Sequence, residues 1–384
     1  MRMEADAAAR PVKTAAQEVQ ERDNMVEKER CTGCGACAAV CPHGAIALRS
    51  DGDGFLYPQI RAALCTECGL CDRTCPFMEE PPPSEEEPLC FGAKAKEERV
   101  RLLGSSGGIF PLLAANMLRS GGTVWGAALL EDGTVRHTEI QTEADISRIS
   151  RTKYVQSDLS RVWEQIEGQL REGRPVLFCG TPCQADALRV FLGENRKGLL
   201  LVDLICYGVP SPGIWKRYIT YLERRYGGSF RSFFFRDKRN RDNGHTRAVQ
   251  VGESEYTCSL DGDQYCRTFF RNVNIRPSCF RCRYCTADRS SDITLGDFWG
   301  IEQVHPGFDN DGLGCSAVVC HTPKGKQLWE QIRPETDWFA CDWEAVANDR
   351  QPRLREPVKE HPRRQLYLRL RHILPFSLWL RLFR

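Results

Sequence analysis

The chain has 384 residues, 41% of them hydrophobic and 27% charged, a composition that excludes a mainly disordered protein and suggests about two or three globular domains. Its 53 Lys and Arg against 51 Asp and Glu leave a net charge of +2, which gives no general pull toward nucleic acid or an anionic membrane. Twenty cysteines are the anomaly: a chain this long buries a core without disulfide staples, so the thiols are expected to hold metal in the cytoplasm.

Residues 1–30 read as a charged N-terminal tail that mixes acids and bases, without the apolar stretch of a secretory signal. No apolar run approaches the roughly 18 residues of a spanning helix. A repeat follows. Cys31, Cys34, Cys37 and Cys41 recur as Cys65, Cys68, Cys71 and Cys75, each shifted by 34 residues, and both copies read C-x2-C-x2-C-x3-C-P. Three closely spaced thiolates wrap one face of a cubane, while the fourth, before Pro42 or Pro76, leaves the turn for the neighbouring cluster. The spacing therefore predicts two 4Fe-4S clusters, one on Cys31, Cys34, Cys37 and Cys75, the other on Cys65, Cys68, Cys71 and Cys41. Zinc prefers separated CxxC pairs and fits this pattern poorly. Residues 31–78 resemble the bacterial two-cluster ferredoxin, a module that carries single electrons and needs a partner site for bond chemistry.

Residues 79–88, EEPPPSEEEP, form an extended linker. Beyond it lies a large domain, 89–345, in which helical and strand-like patterns alternate: a helix over 109–120, a strand over 123–130, a strand over 175–180, a helix over 184–193 and a strand over 199–206. The expected architecture is an α+β ferredoxin-like two-cluster module followed by a larger α/β flavin-binding domain with a largely parallel sheet. Ligand sites in such sheets gather at the carboxyl ends of strands. Cys183 and Cys206 sit at two such ends, and RPSCFRCRYC adds Cys279, Cys282 and Cys285 downstream. Arginines at 276, 281 and 283 are expected to help keep thiolates ionised. These cysteines can form a third iron–sulfur site of Cys183, Cys206, Cys279 and Cys282, with Cys285 spare. The plain alternative is two small buried thiols and a surface zinc clip over 279–285.

Taken in order, SSGGIF (105–110), GTPCQ (180–184), LICYGVPSP (204–212), FFFRDK (233–238), RPSCFRC (276–282) and SDITLGDFWGIE (291–302) resemble one family. It is the coenzyme F(420) hydrogenase/dehydrogenase beta-subunit family, in its bacterial form with an N-terminal ferredoxin module, and the resemblance spans nearly all of 31–330. It implies an oxidoreductase with an iron–sulfur cluster beside a flavin, passing electrons between a two-electron carrier and one-electron clusters. It also implies Cys183, Cys206, Cys279 and Cys282 as ligands. The sequence departs from the pattern in having Cys285, and in Tyr207, where related chains often carry histidine.

For the flavin, FAD or FMN, the loop Gly104 to Gly108 opens a helix, and Ser105, Ser106, Gly107 and Gly108 offer close backbone approach and free amides to a phosphate. Alone, the same residues also fit a plain N-cap. Lys153, in RTKYVQSD, is a candidate for charge near the ring or phosphates. Lys238, in FFFRDKRNR, lies in a basic segment that either binds a phosphorylated carrier or is a solvated loop. His137, His245 and His305 carry no constellation of a general base, and no catalytic residue is assigned. Within the basic C-terminal tail, 346–384, the stretch from 351 carries nine Lys and Arg and two Asp and Glu; it suits a membrane face, a protein partner or, since Pro375 interrupts any single helix, a cap on the domain's own apolar surface, and membrane contact is not favoured. The expected partners are ferredoxin or another redox protein and a two-electron small-molecule carrier. The rival reading is an electron-relay subunit that meets no small molecule.

Overall fold

The computed structural model describes residues 26–78, 87–193 and 196–383, so most of the N-terminal tail and of the Pro/Glu linker lies outside the described residues. Each cysteine repeat contributes one short helix, Ala36–Ala39 and Leu70–Arg73. Both helices follow a glycine in the left-handed region, Gly35 at φ 80° and Gly69 at φ 69°, a conformation that costs residues with a Cβ. This turn folds the chain back between the second and third thiols, which is why both copies place glycine there. Between the helices, β1 (Ile46–Ser50) and β2 (Leu56–Ile60) form an antiparallel hairpin with Ile46 opposite Ile60. Cys37, Ile46 and Ile60 are buried together, with Cys41, Cys65 and Cys71 packed around them. So small a core cannot stabilise a module by apolar burial alone.

The large domain is built on eight strands: β3 (Leu89–Ala95), β4 (Thr123–Leu129), β5 (Val135–Ile140), β6 (Val176–Gly180), β7 (Leu199–Leu204) and, after a separate three-stranded sheet of β8 (Phe230–Asp237), β9 (Thr246–Val251) and β10 (Ser254–Ser259), β11 (Ile293–Asp297), β12 (Ser316–Cys320) and β13 (Thr336–Cys341). Their order is β13-β3-β12-β11-β7-β6-β4-β5. The expectation of a largely parallel sheet needs correction, because only the middle is parallel. β11–β7, β7–β6 and β6–β4 run parallel, whereas the other four pairings are antiparallel. On one side the cause is local: the turn after Leu130, with Gly133 at φ 78°, folds β5 directly back on β4 as a hairpin. On the other, β12 returns beside β11 and the two ends of the domain close on each other as β3 and β13.

Helices cover both faces. Ile109–Arg119 and Pro323–Ile332 bury Leu112, Leu113, Leu328 and Trp329 against Val202, Ile293 and Val318. On the opposite face, Val162–Arg171 and Pro182–Leu192 pack Trp163, Ile166 and Leu188 against Phe178 and Leu201, and Ala36 of the N-terminal module joins this core. A second core lies between the helix Pro212–Tyr226, the three-stranded sheet and the C-terminal helices Arg364–Ile373 and Phe376–Arg381. Trp379, Leu380 and Phe383 are fully buried there, so the tail caps the domain's own apolar surface, with Pro375 marking the break between its helices. Among the described residues no helix is long and apolar enough to cross a membrane.

The N-terminal module is fastened to the large domain at several points. Trp163 Nε1 donates to Cys34 O at 3.0 Å and Gln156 Nε2 to Thr32 O at 3.1 Å. Ser211 Oγ donates to Asp53 O, and Arg371 Nη2 to Gly52 O at 2.6 Å and Asp53 Oδ1 at 2.8 Å. Gly54 and Gly213 touch backbone to backbone: a Cβ on Gly54 would fall 2.6 Å from the Cα of Gly213.

Candidate functional site

Cys31, Cys34 and Cys37, gathered by the Gly35 turn, share a cavity with Cys75 of the second repeat, enclosing about 420 Å³ partly open to solvent. Burial pushes the Cys34 thiol up to about 12, with Cys31 and Cys75 close enough to raise it further by repulsion. Cys37 is raised too, first by burial and then by Cys34, Cys31 and Cys75. Cys41, Cys65 and Cys71 lie together on the other side of the module's small core, and Cys68 is exposed. Thiols this reluctant to ionise alone bind metal only by surrendering their protons to it. Among the described residues, no three His, Cys, Asp or Glu side chains converge tightly enough for a single ion. One zinc would draw its thiolates to about 2.3 Å, whereas a cubane spreads them over four irons. Four thiols lining one cavity are a donor set that fits the cluster.

The second thiol set is assembled from distant segments. β6 and β7 are parallel neighbours, so their carboxyl ends emerge side by side. Thr181 caps the helix Pro182–Leu192 in a reciprocal capping box with Gln184, which fixes Cys183 in its first turn. Cys206 follows two residues beyond β7, not at its last residue as the apolar run of the sequence suggests. The turn Pro277–Arg281 brings Cys279, and Gly208 at φ 148° lets the chain pass close to Ile275, since a Cβ there would stand 3.0 Å from Ile275 Cγ2. Cys183, Cys206, Cys279, Cys282 and Cys285 all line one cavity of about 540 Å³. Thr32 and Phe77 of the N-terminal module line both this cavity and the first.

Burial lifts Cys183 far above its ordinary value, raises Cys206 and pushes Cys279 up to about 12. Cys282 shifts downward, chiefly because the Cys285 thiol hydrogen-bonds to it, with Arg289 and Arg283 assisting. Of the arginines expected to help keep this set ionised, Arg276 acts that way on Cys279 and Arg283 on Cys282, but at Cys279 burial outweighs the charge. Arg276 also reaches Cys31, and Arg283 also pairs with Asp186 at 2.9 Å. Tyr207, at the unusual position, donates from Oη to Asn272 Oδ1 at 2.7 Å. Sequence reasoning missed Asp186, which is wholly buried and accepts from Tyr284 Oη at 2.7 Å, Ser290 Oγ at 2.6 Å, Arg189 and Arg283. Burial opposes its ionisation, but the Ser290 and Tyr284 hydrogen bonds and the Arg189 charge hold it below the usual carboxylate range. It ties the 283–290 segment to the helix that carries Cys183. An acid in QADALRV, where an amphipathic helix turns inward, was the only signal in the sequence.

A third locus brings Lys238 to the loop 104–108, while the Lys153 ammonium faces Ser150 O and Cys179. Thr152 N donates to Ser105 Oγ at 2.7 Å, Ser106 Oγ donates to Cys315 O at 2.7 Å, and Gly107 N donates to Ser316 Oγ at 2.9 Å. Gly107 is required by packing on β3, since a Cβ would fall 2.3 Å from Ala93 O, and Gly108 caps the following helix at φ 84°. Lys238 Nζ donates to Arg101 O and Ser106 O at 2.6 and 2.5 Å, and Lys153 Nζ to Ser150 O at 2.6 Å. Burial lowers both lysines to about 7. The reading of 233–241 as a solvated loop is corrected: Lys238 is 2% exposed, and Arg236 and Arg239 are ion-paired to Asp297 and Asp237. His137 stacks on Phe178 and bonds to Cys179 O, a packing role. One segment, 151–158, connects all three loci, because Thr152 meets Ser105, Gln156 meets Thr32, and Ser157 Oγ accepts from Gln184 Nε2 at 3.0 Å.

Residues 173–338 match the family model that describes the C terminus of the coenzyme F(420) hydrogenase/dehydrogenase beta subunit. Residues 30–78 match the 4Fe-4S dicluster domain. Among solved structures, a chain of the F(420)-reducing NiFe hydrogenase complex from Methanosarcina barkeri is similar at 18% identity and a TM-score of 0.44, over 70% of this chain and 87% of that one. No curated protein matches.

Proposed function

We propose, from the premise that this chain belongs to the coenzyme F(420) hydrogenase/dehydrogenase beta-subunit family and carries a 4Fe-4S dicluster domain, that it is a flavin- and iron–sulfur-dependent oxidoreductase. It moves electrons between a two-electron organic carrier, coenzyme F(420) or a comparable compound, and a one-electron redox protein such as ferredoxin. The observation that carries this reading is the shared wall: the cavity of Cys31, Cys34, Cys37 and Cys75 and that of Cys183, Cys206, Cys279 and Cys282 have Thr32 and Phe77 in common. Two adjoining thiol-lined cavities, of four and five cysteines, suit stepwise one-electron transfer between clusters.

In this reading residues 31–78 hold two clusters and the domain 89–345 holds a third. A flavin, when bound, exchanges electrons in pairs with the carrier and singly with the clusters. Ser105, Ser106, Gly107, Gly108, Lys153 and Lys238 would hold it, the two lysines supplying charge near its anionic groups. Asp186 keeps the Cys279–Cys285 segment against the Cys183 helix. Phe77, which lines both cavities, packs edge-to-face on Tyr284 with ring centroids 6.1 Å apart.

A second reading, an electron-relay subunit with no small molecule of its own, is favoured by one observation. Ser105, Ser106, Gly107 and Lys238 are already engaged by protein partners. Anaerobic purification with cofactor extraction separates the two. The oxidoreductase reading expects one flavin and about twelve irons per chain for three cubanes, and flavin bleaching by a suitable reduced carrier. Twelve irons without flavin leave the relay; folded protein free of iron refutes both.

A further inference from the structure

A fully buried cation stands between the two thiol quartets. Arg276, at the start of the turn that carries Cys279, has 0% of its surface exposed. Its guanidinium reaches into the N-terminal module: Nε donates to Cys31 O at 2.7 Å, and Nη2 donates to Leu56 O at 2.8 Å and to Cys31 Sγ at 3.7 Å. Nη1 donates to Gln156 Oε1 at 3.0 Å, and the Tyr57 ring lies 4.2 Å away. Gly33 makes the room, because at φ +67° a Cβ would fall 2.9 Å from Nη1. None of these acceptors is a carboxylate, and among the described residues Arg276 forms no ion pair. A buried charge without a counter-charge is strongly unfavourable. Arg276 also lines the cavity of the Cys183 quartet, so both thiolate sets are within its field.

We propose that Arg276 is a positioning residue that balances the charge of the cluster on Cys31, Cys34, Cys37 and Cys75 and raises its reduction potential. The proposal rests on the cluster reading above. Reduction adds one electron to an already anionic cluster and moves no proton, and the guanidinium is unchanged. A fixed positive charge, and an N–H···S hydrogen bond that withdraws density from the Cys31 sulfur, stabilise the reduced form more than the oxidised one. Because the site is buried, water screens this effect weakly.

The test is a redox titration of the anaerobically purified full chain followed by electron paramagnetic resonance, with the inner cluster's signal identified as the one missing in Cys34→Ser. In Arg276→Gln that cluster alone is expected to titrate lower, its reduced-to-oxidised ratio at the wild-type midpoint falling about tenfold, equivalent to about 59 mV for one electron. Arg276→Lys, which keeps the charge without the planar fork, is expected to recover most of the shift. Gln156→Glu, which sets a carboxylate beside Nη1, is expected to lower the same potential with Arg276 in place, and it serves if Arg276→Gln fails to load iron. An unmoved inner cluster, an equal shift of every cluster, or a lysine variant no different from the glutamine variant overturns the proposal. Those outcomes with iron near twelve per chain overturn the role of Arg276 alone. Wild-type protein that folds without iron overturns the cluster reading beneath it.

Discussion

The two thiol quartets are specified in different ways. Three of the four cysteines around the first cavity lie within seven residues, Cys31 to Cys37, and the fourth occupies the matching place of a second copy. Those around the second cavity come from a helix first turn, the exit of β7 and a turn some seventy residues later. The first is written in local spacing and needs little fold to form. The second exists only where parallel strands, a capping box and the Asp186 network bring distant segments together. The first quartet should therefore tolerate damage to the large domain's core, and the second should not.

The largest expected effect breaks the pair apart. Cys183→Ser should remove one cluster, about four irons per chain, and leave the N-terminal clusters in iron analysis and resonance spectra; loss of all iron would contradict separate sites. Next is the scaffold of the second quartet. Asp186→Ala removes the buried carboxylate shared by Tyr284, Ser290, Arg189 and Arg283 and should cost about 3 kcal/mol in denaturant unfolding, with the Cys183-dependent signal lost before the others.

Acid sharpens the contrast further. Burial lowers His137 to about 4 and His321 to about 3, and both sit in the large domain. The unfolded chain takes up these protons first, so the stabilisation is whole above about pH 6.5 and declines below it toward the folded values. Each histidine should remove about 1.4 kcal/mol per pH unit across that window, and His137→Asn should flatten the slope in unfolding measured between pH 7.5 and 5.5. The smallest effect concerns the spare thiol. Cys285→Ala should leave iron content unchanged and cost less than about 1 kcal/mol; a loss of about four irons would make Cys285 a ligand in place of one of the four.

What was legible in the sequence follows the same division. The cysteine repeat, its glycines and its crossed fourth ligand are matters of spacing, and Cys31, Cys34, Cys37 and Cys75 do line one cavity. Strands β6 and β7 were visible as short apolar runs, which was enough to place Cys183 and Cys206 at adjacent strand ends. The antiparallel flanks were not visible. β3 and β13 pair across some 240 residues, and no local signal announces such a contact. The β4–β5 hairpin has one, the Asp132–Gly133 turn. Residues that act across the interface, Gln156, Trp163 and Asp186, look like ordinary polar or aromatic helix and loop positions until their partners are in place.

The crossing of Cys75 into the first repeat's cavity has a consequence for how such a module can be divided. Under the proposed ligand assignment, a cut between Pro42 and Cys65 would leave each half three thiols for one cluster and a lone thiol for the other. Neither half is a working unit, although each is a near copy of its twin. On that assignment the duplication is interlocked, and the two copies are expected to mature as one piece.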